Sequence, residues 1–116
     1  MDWKQLLLTY EGRISRQPYW MGTLALVGAV LIVQIVGTLV LGDTLGGILG
    51  LIVNLAIIYP AICVAIKRWH DRNKSGWWVL IGLIPIIGGL WTLVECGFLP
   101  GTSGGNDYGP DPLATS

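Results

Sequence analysis

The sequence predicts an all-α integral membrane protein with three transmembrane helices and an amphipathic helix at the membrane interface before them. Three observations predict it. Of 116 residues, 53% are apolar and only 12% charged, about half the charge of a soluble domain, whereas a chain this small folded in water needs polar residues to cover its surface. Three apolar runs, 19–41, 45–66 and 77–99, each approach the roughly 20 residues that a helix needs to cross a ~30 Å hydrocarbon core. Every Lys and Arg falls before the first run or between the second and third. Backbone groups in lipid must be satisfied internally, and the chain is too short for a closed barrel of alternating strands, so the runs read as helices.

Residues 1–18 are too polar to cross. Trp3, Leu6, Leu7, Tyr10 and Ile14 fall on one helical face, with Lys4, Arg13 and Arg16 on the other face or its edge, so this segment is expected to lie along the cytoplasmic headgroups. It lacks the cleavage site and short apolar core of a signal peptide. The first span opens on Tyr19 and Trp20 at the interface. Gly42-Asp43-Thr44 is too short to do anything but make the second span antiparallel. The polar connection 67–76 is bracketed by Trp69, Trp77 and Trp78 at the same interface. Pro85, with Gly88 and Gly89, is expected to kink or break the third span. The alternative to a full third span is a re-entrant segment that returns the tail to the cytoplasm. The tail, 100–116, is rich in Gly, Pro, Asp, Asn and Ser and reads as a loosely ordered extension. Three units follow: an interfacial segment over 1–18, a three-span membrane domain over 19–99 and a tail over 100–116.

Seven basic residues balance seven acidic ones, which gives no overall basic excess to suggest nucleic acid. Their distribution is informative. Lys4, Arg13, Arg16, Lys67, Arg68, Arg72 and Lys74 share one side of the three-span plan with Asp2, Glu11 and Asp71. Asp43, Asp107 and Asp111 lie opposite, and Glu95 near a membrane edge. The positive-inside rule puts the N-terminus and the 67–76 connection in the cytoplasm, and the tail outside, in the periplasm or extracellular space.

In this plan Cys63 and Cys96 differ in depth by most of a bilayer, too far for a disulfide, and read as small packing residues. One His, two distant Cys and scattered acids cannot assemble a structural metal site, and no cofactor is expected. The densest chemistry is in 67–78. Much of it is explained by cationic anchors, interfacial tryptophans, Ser75 as a helix cap and Asp71 neutralising an Arg. The functional reading is that Arg68, His70, Asp71 and Arg72, with Arg13 and Arg16, form a basic pocket for an anionic lipid headgroup or an acidic partner. His70 beside Asp71 is the one acid–base pair that a membrane enzyme could use, which makes an enzyme the third reading, behind partner binding and transport. Gln34 and Asn54 lie at similar depth and are expected to hydrogen-bond across the helix pair as structural glue. With Glu95, an acid inside an apolar run, they also define the alternative function of a small channel or transporter. Gly46-x-x-x-Gly50, Ala25-x-x-x-Ala29 and Ala61-x-x-x-Ala65 offer close-approach faces within the subunit or between copies of a homo-oligomer.

Three stretches carry a family resemblance: Gly12-Arg13-Ile14-Ser15-Arg16-Gln17-Pro18-Tyr19-Trp20, then Arg68-Trp69-His70-Asp71-Arg72-Asn73-Lys74-Ser75-Gly76-Trp77-Trp78, then the glycine-rich 101–105 with Asn106-Asp107-Tyr108-Gly109-Pro110-Asp111-Pro112. The chain resembles the bacterial inner-membrane family named domain of unknown function 805. The resemblance covers nearly the whole chain and implies a small multi-spanning inner-membrane protein with no assigned activity. Its motif residues correspond here to Arg13, Ser15, Arg16, Tyr19, Trp20, Arg68, His70, Asp71, Ser75, Gly76, Trp77, Asn106, Tyr108, Gly109, Pro110 and Pro112. The leading expectation, resting on the residues themselves, is non-enzymatic: binding of lipid or protein partners through a basic cytoplasmic face.

Overall fold

The computed structural model describes residues 3–113; Asp2 and the last three residues of the tail lie outside the described residues. Its regular structure is helical, with one isolated bridge between Asn106 and Gly109. Helix α1 is short, Trp3–Leu8. Helix α2, Arg16–Asp71, is interrupted at Gly42 and so forms two arms, 16–41 and 43–71.

The arms form an antiparallel hairpin whose turn is tighter than the three-residue connection expected. Gly42 alone leaves helical geometry, at φ 88° and ψ 174°, a region open essentially to glycine. Glycines on the facing surfaces let the backbones approach: a Cβ on Gly46 would lie 2.7 Å from the Thr38 Cα, and one on Gly50 would collide with the Gln34 amide. The Gly46-x-x-x-Gly50 motif thus works inside the chain. Mean hydropathy over the most apolar window of this helix is 2.6, and only 6% of that window is buried. The molecule extends 51 Å along its long axis, enough for a ~30 Å hydrocarbon core and a polar cap beyond it.

The N-terminal segment departs from its expected form. The helix ends at Leu8, Gly12 adopts φ 85°, and Arg13, Ile14 and Ser15 are buried rather than spread along a surface. Two side chains serve the carbonyls left at that end: the Nζ of fully buried Lys67 donates to the carbonyls of Gln5 and Leu6, the latter at 2.6 Å, and Thr9 Oγ1 donates to Gln5 O at 2.7 Å, the carbonyls that a longer helix would bond to its next turn.

The third apolar run is not one continuous helix. A 3-10 helix, Gly76–Leu83, leads away from the 67–76 connection. Ser75 stands at its N-cap but makes no side-chain capping bond. Ile84, before Pro85, is extended, as proline requires of its predecessor. Ile86 then closes a γ-turn at φ 66°, ψ −66°, with the Ile87 amide 2.7 Å from the Pro85 carbonyl. The chain returns as α3, Ile87–Thr92, and a π-helix, Leu93–Phe98. Eight residues of 3-10 helix cover roughly 16 Å, about half a hydrocarbon core. The third full-length span expected from the sequence is replaced by a short hairpin, and Glu95, Cys96 and the tail arrive at the end that carries Lys67–Lys74. Cys63 and Cys96 are both buried and unbridged; the backbone of Cys96 meets Arg68 at the cationic end, not a bilayer away from it.

Candidate functional site

At this end the chain places an acid between two arginines. Asp71, the last residue of α2, receives the Arg13 Nε on Oδ1 at 2.8 Å and the Arg68 Nη1 on Oδ2. Arg68 is 0% exposed and Asp71 3%. The carboxylate therefore bridges two guanidinium groups rather than gripping one through paired hydrogen bonds. A buried acid between buried bases persists only when the remaining donors are satisfied, and here the chain's own carbonyls satisfy them.

The carbonyls are consecutive. Arg68 Nε takes Cys96 O at 2.7 Å, Trp20 Nε1 takes Gly97 O at 2.8 Å and Arg16 Nη1 takes Phe98 O at 2.8 Å. Arg68 Nη2 takes Leu99 O at 2.5 Å, and Arg72 Nη1 takes Pro100 O. Arg13 continues the series with Thr102 O at 2.5 Å and Gly104 O at 2.8 Å. The last carbonyls of a helix have no partner of their own and carry its negative dipole end. Three arginines and a tryptophan cap this one. The guanidinium suits the task because its planar fork reaches several acceptors at once.

The tail is ordered by the same cluster. The amide of Thr102 donates to Asp71 O at 2.7 Å, and Asn106 Nδ2 to His70 O at 2.9 Å. Tyr108 stacks on His70, whose Nδ1 lies 2.8 Å from Gly12 O. Asp111 accepts from the amides of Leu113 and Gly104, which hold its carboxyl below the usual carboxylate range. The expectation of a loosely ordered tail at the far end of the molecule is corrected for the described residues. Glu95, expected near the opposite interface, instead bonds Lys74 Nζ at 2.6 Å and Trp91 Nε1 at 3.0 Å, with Arg72 Nε 3.5 Å away.

Of the candidate pocket residues, Arg13, Arg68, His70 and Asp71 come together as buried parts of this clamp, Arg72 lies half-buried beside Glu95, and Arg16 is exposed at its edge. Gln34 and Asn54 do not bond each other. Gln34 donates to Thr38 and Asn54 to Gly50 O, each within its own arm, although the Gln34 amide rests against Gly50. Glu95 lies with the cations, away from both. Among the described residues no group of three His, Cys, Asp or Glu side chains is placed to hold a metal ion. Sequence reasoning missed Lys67 as the cap of α1; no local pattern marks it. It also missed Trp20 and Tyr108 as working parts, although both stand in the recurring motifs.

A long, lipid-width apolar hairpin closed at one end by a carbonyl-binding arginine cluster defines a class of small helical membrane protein. The chain matches the family described as "Protein of unknown function (DUF805)" over residues 7–110, and it belongs to that family. It is 43% identical over 107 residues to inner membrane protein YhaI of Escherichia coli K12, an alignment covering 89% of this chain and 85% of that one. It is 37% identical over 127 residues to inner membrane protein YhaH of the same organism, covering 97% of each. No solved structure matches it.

Proposed function

We propose that this is a non-enzymatic inner-membrane protein that crosses the bilayer with the two arms of α2, inserts its third apolar run as a re-entrant hairpin, and engages the anionic cytoplasmic leaflet through the rim of its arginine-rich cap. The observation that carries this reading is the gathering of all seven cations at one end of the hairpin, with Asp43 at the other. The positive-inside rule then puts the N-terminus, the 67–76 connection and the tail together in the cytoplasm. The names of YhaI and YhaH support the inner membrane. The cap divides its cations by role. Arg13, Lys67 and Arg68 are consumed by the fold, Arg72 and Lys74 share the single carboxylate of Glu95, and Lys4 and Arg16 remain exposed to meet headgroups.

The test is the lipid carried by the purified chain, read by native mass spectrometry from mixed micelles of phosphatidylglycerol and phosphatidylcholine. Retention should favour phosphatidylglycerol, and the preference should shrink as salt rises. Equal retention of the two lipids at low salt would end the reading.

A further inference from the structure

The arms of the hairpin part on one face. Between Tyr19 and Leu31 on the first arm and Asn54 and Ala65 on the second lies an open, mainly apolar groove of about 380 Å³. Tyr19, Thr23 and Val30 recur at helical spacing along one wall, and Asn54, Ala61 and Ala65 along the other. The two alanines make the trough, because neighbouring lipid-facing positions on the same arm carry Leu55, Ile58 and Ile62.

Its length decides what it suits. From Tyr19 to Leu31 the arm rises roughly 18 Å, close to one leaflet of a ~30 Å core. A groove that runs from the interface to about the midplane matches one acyl chain, whereas a partner helix crossing the bilayer needs contact through its full thickness. Arg16 does not line the groove; it lies three residues before Tyr19, one helical turn further toward the cap on the same face of the arm. It is exposed and spends only Nη1, on the Phe98 carbonyl, so the rest of its fork is open to a phosphate.

We propose that this groove binds a diacyl phospholipid with an anionic headgroup: one acyl chain lies between Tyr19 and Asn54, and the phosphate is held by Arg16. The proposal rests on the reading above that the cap faces the anionic leaflet, and it names the site. It makes Arg16 a ligand-binding residue as well as a clamp on Phe98.

The experiment uses the full chain in the same mixed micelles, with lipids of matched acyl chains. Arg16→Ala should lower phosphatidylglycerol retention on the order of five-fold, the factor equivalent to ~1 kcal/mol per cation at an anionic surface, and lower phosphatidylcholine retention less, because the choline cation already offsets the charge of its phosphate. Arg16→Lys should recover most of the loss. Ala61→Phe, at an exposed position that tolerates bulk, should fill the trough and lower retention of both lipids, with its thermal midpoint unchanged. Wild-type preference that survives both Ala61→Phe and Arg16→Ala overturns the groove while sparing the broader reading. A wild type without preference overturns both. Loss of a dimer in Ala61→Phe with lipid retention intact makes the groove a contact between copies and overturns the lipid site.

Discussion

The rings of His70 and Tyr108 lie face to face, their centroids 3.9 Å apart and their planes within 3°, so a residue of the tail is stacked on the C-terminal turn of the long helix. The stack, with Asn106 Nδ2 on the His70 carbonyl, joins segments 38 positions apart and holds the 106–109 turn against the cap. An aromatic pair of this kind is worth about 0.5–1.5 kcal/mol beyond its buried area. Tyr108→Ala should therefore release the tail, seen as faster amide exchange and protease cleavage over 101–113 with the hairpin unchanged, and Tyr108→Phe should behave as wild type. Equal exchange in Tyr108→Ala and wild type would show that the stack holds nothing.

Asp71→Asn keeps the shape of the side chain but leaves Arg13 and Arg68 buried beside a neutral amide. Breaking a buried ion network by removing one partner costs about 3–5 kcal/mol. Unfolding in detergent micelles, followed by the near-ultraviolet signal of Trp69 and Trp78, which stack at 5.7 Å, should report a loss of that size. A loss under ~1 kcal/mol would mean that the carbonyls alone hold the two guanidinium groups.

Glycines in the hairpin should respond with opposite signs. Gly42→Ala forces a side chain into backbone geometry that costs about 1–3 kcal/mol. Gly46→Ala places a methyl against the Thr38 backbone and should also destabilise. At Gly47 a Cβ meets nothing within 4 Å, so alanine there should gain up to ~1 kcal/mol from helix propensity. Thermal midpoints of the three variants check the order.

The placement of the tail can be tested by thiol labelling in spheroplasts. A membrane-impermeant maleimide should reach Asp43→Cys at the hairpin tip and fail to reach Ser103→Cys or Ser75→Cys until the membrane is opened; the native Cys63 and Cys96 are buried. Labelling of Ser103→Cys in intact spheroplasts, with Ser75→Cys protected, would restore a third span.

The sequence by itself determined the helical class, the two arms, their antiparallel connection within 42–44 and the single end at which the cations collect. Each of these follows from local information: the length of an apolar run, a glycine between two runs, the position of charges along the chain. It also marked, through Pro85 and its neighbouring glycines, where the third run would break. Only the tertiary structure decided what the break does, because a proline says that a helix stops and not in which direction the chain resumes. That direction was set by distant partners. The carbonyls from Cys96 to Pro100 need donors that the third segment lacks, and Arg68, Trp20, Arg16 and Arg72 supply them from the hairpin. The same partnership moved Glu95 to the cationic end and turned Arg13 and Arg68 from a lipid-facing surface into the buried core of the cap. Along the chain a charged side chain looks the same whether it faces water or fills the hydrogen-bonding needs of a helix end, and packing alone separates the two.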